Sequence, residues 1–480
     1  MTCTALWIRN VKTRFAILLV PVCLALAGCL GNSGNASTAP GGVRLYPGDG
    51  MISITWNADP AYVYWVFHAQ DPTVSTDNWS GLLNPGAIVN SASPAIVCNQ
   101  INNPNPTTYF PDSYFIVNAR TGTAPGGPGS PAVGAAPRWA GGPQSPWVPG
   151  ASIPARINSL GYVALTSCGY AGRPPSGTFV AVGPSGTIFY SVLTPTVAGP
   201  LVPSQGNAPI TWSQANVPAG LHEDLTGVAG GGVLNNPGAP SQLFVAVGKG
   251  GTVLRSTDGQ NWQQIANIPT GNNLNAVALA GSTFIAVGDS GVVLTSTDAL
   301  TWRISATAAL ASTNSLNAIH CATYACVAVG AQGTTIWSSD SGATWTLYAK
   351  GNNNWTGIAY GNANVNADAL VTDPNGTLSV NLANSAINTW VVTDALGNFA
   401  YANSTGAWNS NSYTIAGSVS AIDYSTHFVA LDAAGNAYAS ENGAVWQPVG
   451  SSSLVNPTAM RSDGAGFVAV GASGTNASSF

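Results

Sequence analysis

An all-β fold built from one four-stranded unit, repeated around a ring, is what this sequence predicts, on three observations. The first is self-similarity. FVAVGKGGTVLRSTDGQNW from Phe244 returns as FIAVGDSGVVLTSTDALTW from Phe284 and CVAVGAQGTTIWSSDSGATW from Cys326. It returns again, blurred, as WVVTDALGNFAYANSTGAW from Trp390 and FVALDAAGNAYASENGAVW from Phe428, while Phe179 and Phe467 open two more copies. The second is spacing. Trp147, Trp212, Trp262, Trp302, Trp345, Trp408 and Trp446 close the units at intervals of 65, 50, 40, 43, 63 and 38 residues, so a unit of about 40 carries three insertions. The third is complementary ends. The last copy stops after its third strand, and Ser145–Leu165 (SPWVPGASIPARINSLGYVAL) matches Asn261–Leu279 (NWQQIANIPTGNNLNAVAL) nearly strand for strand. Forty residues, four strands and a repeated core pattern define a propeller blade. The prediction is a seven-bladed β-propeller over 138–480, closed by an N-terminal outer strand through Trp147 that pairs with 467–480 and leaves no exposed edge.

The chain begins with an address. Arg9, Lys12 and Arg14 precede the apolar run Phe15–Ala27, which is too short for an ordinary spanning helix, and Leu26-Ala27-Gly28-Cys29 follows. This order resembles bacterial lipoproteins. The resemblance implies a signal peptide over 1–28, lipidation of Cys29 and, because Leu30 rather than Asp follows, a cell-envelope protein anchored in the outer membrane. Residues 29–42 hold the lipidated Cys and a flexible Gly/Ser/Asn tether.

Residues 43–137 change character. MISITW (51–56) puts Ile52, Ile54 and Trp56 on one face, and YVYWVFHA (62–69) and SYFIVNAR (113–120) read as further strands. With PGDG before the first of these and Asn118-Ala119 closing the last, the segment resembles a fibronectin type III β-sandwich. The stretch Gly122–Pro131 is either its last hairpin or the start of a linker.

In the ring, the turns before the tryptophans read Ser256-Thr257-Asp258-Gly259…Trp262, Ser296…Asp298…Trp302 and Ser338-Ser339-Asp340-Ser341-Gly342…Trp345. They resemble the Asp boxes of bacterial neuraminidase repeats. By that resemblance the carboxylate binds N–H groups of its own turn and the Trp packs between blades, which is fold chemistry. Asn403 and Glu441 replace or displace the Asp in the late blades. The resemblance extends to the non-enzymatic branch of the family, which includes photosystem II assembly factor-like propellers.

Chemistry is sparse. Charged residues make up 6% of the chain, net charge is −5 with 13 basic residues, and no basic stripe suited to nucleic acid exists. A sialidase needs an arginine triad and paired carboxylates; the only glutamates are Glu223 and Glu441, and no convincing acidic pair is present. His68, His222, His320 and His427 have no ligand spacing, so no metal and no cofactor are expected. Trp355 looks like a binding aromatic, but it aligns with Leu274 and Leu316 and reads as core. Of the seven cysteines, Cys3 and Cys23 leave with the signal. Cys321 and Cys326 flank a hairpin and are placed to form a cross-strand disulfide in an oxidising compartment, while Cys98 and Cys168 lie in different domains.

Two faces compete for function. His222, Glu223 and Asp224, with Lys249, Asp289, Asp394 and Asp432, fall on the side where second strands turn into third strands and would form a polar ligand funnel. Insertions at Ser191–Ile210, Gly230–Gln242 and Gly361–Asn388 emerge on the opposite side. The expectation is a non-catalytic, lipid-anchored interaction or assembly scaffold with a protein partner on the insertion face; the alternative is a carbohydrate-binding or sialidase-like glycan-processing protein.

Overall fold

The structure is a computed structural model. It describes residues 39–48, 51–57, 59, 61–69, 81–82, 95–100, 113–120, 133–135, 147–166, 176–193, 210–231, 242–305, 313–349, 351–364, 370–372, 378–380, 386–403, 408–415, 418–425, 427–462 and 466–479. The signal sequence, Cys29 and the tether up to residue 38 lie outside these residues, as do Cys168 and most of the first two insertions.

From residue 147 onward the described chain forms seven four-stranded antiparallel sheets. Blade 1 runs from Ser159–Thr166 to Ser213–Gln214, and blade 2 from Leu225–Gly231 to Gln263–Gln264. Blade 3 shows the unit most plainly, with strands Leu274–Ala280, Thr283–Gly288, Val293–Ser296 and Arg303–Ile304. Blade 4 spans Leu316–Ala322 to Thr346–Ala349, blade 5 Trp355–Asn364 to Trp408–Thr414, and blade 6 Val419–Tyr424 to Gln447–Ser451. Blade 7 takes Pro457–Ser462, Phe467–Gly471 and Asn476–Ser479; its fourth strand is Val148–Pro149, in register Ala477↔Pro149 and Ser478↔Val148.

Each second strand is buried on both faces. Phe244, Val245, Ala246 and Val247 are all 0% exposed, which leaves no solvent face and explains a continuous apolar run where a one-sided sheet would alternate. Alternate residues then serve opposite neighbours. Val180 and Val182 of blade 1 pack with Phe244, Ala246 and Trp262 of blade 2. Val245 and Val247 of blade 2 pack with Phe284, Ala286 and Trp302 of blade 3. The series comes full circle: Val429 and Leu431 of blade 6 pack with Phe467, Ala469 and Trp147, and Val468 and Val470 of blade 7 pack with Phe179 and Ala181 of blade 1. The glycine that ends this strand has no room for a side chain. A Cβ on Gly288 would lie 2.0 Å from the Asn273 carbonyl oxygen, and on Gly330 2.0 Å from that of Ser315.

The N-terminal segment forms two small sheets. Arg44–Gly48, Met51–Trp56 and Ala95–Gln100 make a three-stranded sheet with Met51–Trp56 in the middle. Val63–Ala69 and Ser113–Arg120 are the central strands of a four-stranded one, edged by Gly81–Leu82 and Val133–Ala135. Trp56 of the first sheet meets Tyr64 of the second at 5.6 Å between ring centroids. Both rings are buried.

Removing 467–480 deletes two strands of blade 7 and strips Phe467, Val468 and Val470 from both of its interfaces. Three such side chains at about 1.5–3 kcal/mol each amount to about 5–9 kcal/mol. Calorimetry should show the ring melting far lower or failing to fold; an unchanged Tm would count against a ring held by its seventh blade.

Candidate functional site

Among the described residues, the turns before Trp262, Trp345 and Trp446 are built alike. In blade 2, Ser256 Oγ donates to Asp258 Oδ1 (2.9 Å), which also accepts the N–H groups of Gln260 and Asn261 (2.8 Å each). Gly259 N–H donates back to Ser256 Oγ at 2.8 Å, and the Trp262 indole N–H donates to the Gly259 carbonyl at 3.0 Å. Blade 4 repeats this with Ser338, Asp340, Gly342 and Trp345. The glycine is required twice over: at Gly342 φ is +83°, and a Cβ would strike Ile285 of the preceding blade at 2.7 Å. Blade 3 has Ala299 there, at φ +59° and fully buried. Asp298 still accepts from Ser296 Oγ and from Leu300 and Thr301 N–H, but the Trp302 indole N–H has no acceptor among the described residues.

In blade 6 the sequence places Glu441 at the displaced position. Asn442 fills the role instead: its Oδ1 accepts from Ser440 Oγ and from Ala444 and Val445 N–H, and Trp446 donates to Gly443. The role needs an acceptor oxygen two residues after the serine, and SENG supplies it as an amide.

The residues expected to line a funnel are not equivalent. His222 and Glu223 are exposed. Asp224 is tied to Lys249 Nζ at 2.6 Å and accepts Ser185 N–H at 3.1 Å. The Lys249 bond first, and the Ser185 N–H second, hold its carboxyl below the ordinary value. Asp289 accepts from the side-chain amides of Asn273 (2.9 Å) and Asn275 (3.0 Å). Asp394 and Asp432 are not funnel groups: they are 2% and 3% exposed. Asp394 Oδ1 accepts Leu396 and Asn398 N–H, and Asp432 Oδ1 accepts Ala434 and Asn436 N–H. In these two blades Asp replaces the strand-ending glycine, and the repeated D-A-x-G-N string is the signal that marks a self-capped turn.

A clamp at the same mouth went unread in the sequence. The side chains of Asn158, Thr226, Asn275 and Asn317 each donate to a carbonyl on the next blade's inner strand: those of Leu225, Leu274, Leu316 and Trp355. The last three donors sit at the β-bulge of their own strands. The bulge turns a polar side chain across to the neighbour.

On the opposite face, Cys321 and Cys326 pair directly across the hairpin and are disulfide-bonded, with Cα atoms 4.1 Å apart. The third insertion starts as regular structure: the ladder between Trp355–Asn364 and Ala386–Asp394 runs on to Asn364↔Ala386, and Leu370–Thr372 pairs with Leu378–Val380. Trp355 opens the inner strand and is partly buried among blade 4 and 5 residues.

Three ionisable groups on the inner strands share one level. Ser462 N–H donates to Asp423 Oδ2 at 2.7 Å, and Arg461 Nη1 lies 4.0 Å from that oxygen. Burial pushes the Asp423 carboxyl up, against the pull of Arg461. His320 lies against Trp390 (6.1 Å) and Tyr360 (6.3 Å); burial first, and the charge of Arg461 second, bring its pKa from 6.5 to about 3. His427 is a core residue, 1% exposed and edge-on to Phe467.

The described chain is thus a seven-bladed β-propeller with two unlike faces. No family model and no curated protein matches it. Solved structures to which it is similar include the following three. One, "YCF48 bound to D1 peptide", is 13% identical with a TM-score of 0.46, over 70% of this chain and 94% of that one. YCF48 from Cyanidioschyzon merolae is 17% identical with a TM-score of 0.44, over 69% and 98%. The WD40 β-propeller domain of Doa1 is 8% identical with a TM-score of 0.46, over 70% and 97%.

Two outcomes follow for the turns and the buried histidine. Asp258→Ala leaves two N–H groups and a hydroxyl without their acceptor and should cost about 1–2 kcal/mol, read as a Tm loss of about 2–4 °C. Ala299→Gly should cost less than a buried methyl ordinarily does, because it relieves a positive φ. The acid limb should fall in two windows. His320 is neutral in the fold and basic when unfolded, so stability drops as pH falls from 6.5 towards 3, by at most about 1.4 kcal/mol per pH unit. Burial alone would raise the Asp258 carboxyl, but the N–H bonds from Asn261 and Gln260 outweigh it, so its contribution is present above 3.8 and disappears below. In urea titrations across pH, His320→Gln should flatten only the upper window.

Proposed function

We propose that this chain is a non-catalytic, lipid-anchored protein of the bacterial envelope, held at the outer membrane through Cys29, whose propeller serves as a protein-interaction or assembly scaffold. The observation that carries the reading is the extra ladder of blade 5, which pushes ordered backbone out on the side where the other two insertions also leave their blades. Surface structure that a ring does not need for its own packing is where recognition is usually placed. The other face supports the reading by contrast. Asp394 and Asp432 are consumed in their own turns, Asp289 is held by two asparagines, and Asp224 is neutralised by Lys249.

Two finer parts belong to the same proposal. The strand Val148–Pro149 is the lock of the ring, since it joins the two ends of the propeller within one sheet and brings Trp147 into the interface of blades 6 and 7. The paired sheets of 44–135 are a fibronectin type III-like sandwich, in keeping with their strand order and with Trp56 and Tyr64 meeting between them.

Trimming Gly361–Asn388 to the short hairpin of blade 3 should leave Tm within about 2 °C, because the inner ladder is kept. The same change should sharply reduce the proteins that co-purify from detergent-solubilised native membranes. The triple variant His222→Ser, Glu223→Ser, Lys249→Ser should co-purify them undiminished; the reverse result places recognition on the other face. Cys29→Ala should abolish palmitate labelling and release the protein from membranes, and labelling that persists would remove the anchor from the reading.

A further inference from the structure

Register fixes one level of the inner strands without ambiguity. In each blade the second residue of the repeated FVAVG-type string (Val180, Val245, Ile285, Val327, Val391, Val429 and Val468) lies opposite one inner-strand residue. Those partners are Gly161, Ala229, Ala278, His320, Ala359, Asp423 and Arg461. Four are glycine or alanine. The other three are the only histidine, carboxylate and cation on the seven inner strands, in a chain with 6% charged residues. In blades 2, 3, 4, 6 and 7 the level lies within two residues of the end of the inner strand, at the mouth on the insertion side, while in blades 1 and 5 the ladder runs further.

Arg461 shows where the open space is. Cross-strand partners share a sheet face, and Val468 faces blade 1, so Arg461 leaves its own strand on that side. Yet Nη1 lies 4.0 Å from Asp423 of blade 6. The side chain therefore turns back over the inner edge of its strand, through the central channel. Its contact with Asp423 is longer than a hydrogen bond, and among the described residues the guanidinium makes no hydrogen bond. The Arg461 side chain is 40% exposed while that of Asp423 is 7% exposed. The result is a planar fork of five N–H donors, anchored by charge from behind and open in front, on a level whose other walls are mostly Gly and Ala.

We propose that this end of the channel is a binding site for a carboxylate, gripped by Arg461 with Asp423 as its anchor and His320 as a neutral wall. Neutrality of His320 follows from its depressed pKa and leaves Arg461 as the level's cation. The carboxylate could be a chain terminus or a free acid such as a sugar acid, and the two sources are separable.

The test uses the mature protein labelled with ¹⁵N-arginine, in which the Arg461 Nε–H signal is assigned by its loss in Arg461→Lys. Titrations use N-acetyl-trialanine, its C-terminal amide, glucuronate and, as an ionic-strength control, chloride. A saturable shift of the Arg461 signal with an acid, absent with the amide and with chloride, is the expected result. Response to the tripeptide alone assigns the site to chain termini, and response to glucuronate alone to sugar acids. By calorimetry Arg461→Gln should weaken binding about ten-fold or more, and Asp423→Asn, which removes the rival carboxylate, should strengthen it. Circular dichroism confirms that each variant is folded, and Asp423→Asn keeps the question decidable should Arg461→Gln fail to fold. The proposal is overturned if no acid shifts the signal, if the amide shifts it equally, or if Asp423→Asn leaves the affinity unchanged. Arg461 and Asp423 would then be a structural pair only.

Discussion

Burial of the second strand on both faces is the constraint from which the rest of the ring follows. A strand such as Phe244–Val247 has no solvent side, so a blade in isolation would expose one apolar face or the other. The phenylalanine and alanine positions look back to the preceding blade, and the two valine positions look forward to the next. Such an alternation has no natural first or last member. It is satisfied only when blade 7 meets blade 1, as Val468 and Val470 do against Phe179 and Ala181. Trp147, Trp262, Trp302, Trp345 and Trp446 pack into these interfaces beside the second strands.

That requirement explains which parts of the fold were legible in the sequence. The FVAVG string must recur because every interface needs the same two-sided strand, so Phe179, Phe244, Phe284 and Phe467 mark their blades directly. The tryptophans recur for the same reason. What could not be read by alignment was chemistry that shifts by a residue while keeping its geometry. Glu441 aligns roughly with the aspartates, but the turn needs an oxygen two positions after Ser440, and Asn442 supplies it. Asp394 and Asp432 fall near the positions of Lys249 and Asp289 and share their polarity, yet they stand where other blades have the strand-ending glycine. An offset of one residue separates a surface charge from a buried cap.

The polar clamps show a second limit of pattern reading. Asn158, Thr226, Asn275 and Asn317 look like ordinary polar residues at the start of a strand. For Thr226, Asn275 and Asn317 that bond depends on the bulge, which rotates one residue out of the pleat and across to the neighbouring blade. Each bond joins one blade to the next in the same rotational sense. Side-chain polarity was visible; its direction was set by backbone geometry that no local string encodes.

Irregularity carries the remaining information. Blade positions fixed by packing repeat, so departures confined to one blade cannot be explained by the ring. Ala299 is one such departure: it stands at positive φ where blades 2, 4 and 6 have Gly259, Gly342 and Gly443, and the Trp302 indole has no acceptor among the described residues. The ladder of blade 5 is another, carrying the inner hairpin on to Asn364↔Ala386. The coincidence of His320, Asp423 and Arg461 on a single register level is the third, and it is of a different kind. Desolvation works against the charged form of both Asp423 and His320, and Ala or Gly stands at the same level in four blades without that cost. A fold that needed only packing would have repeated the small residue seven times. The blade 5 ladder and the inner-strand ionisable groups both lie towards the face on which each inner strand turns into its second strand.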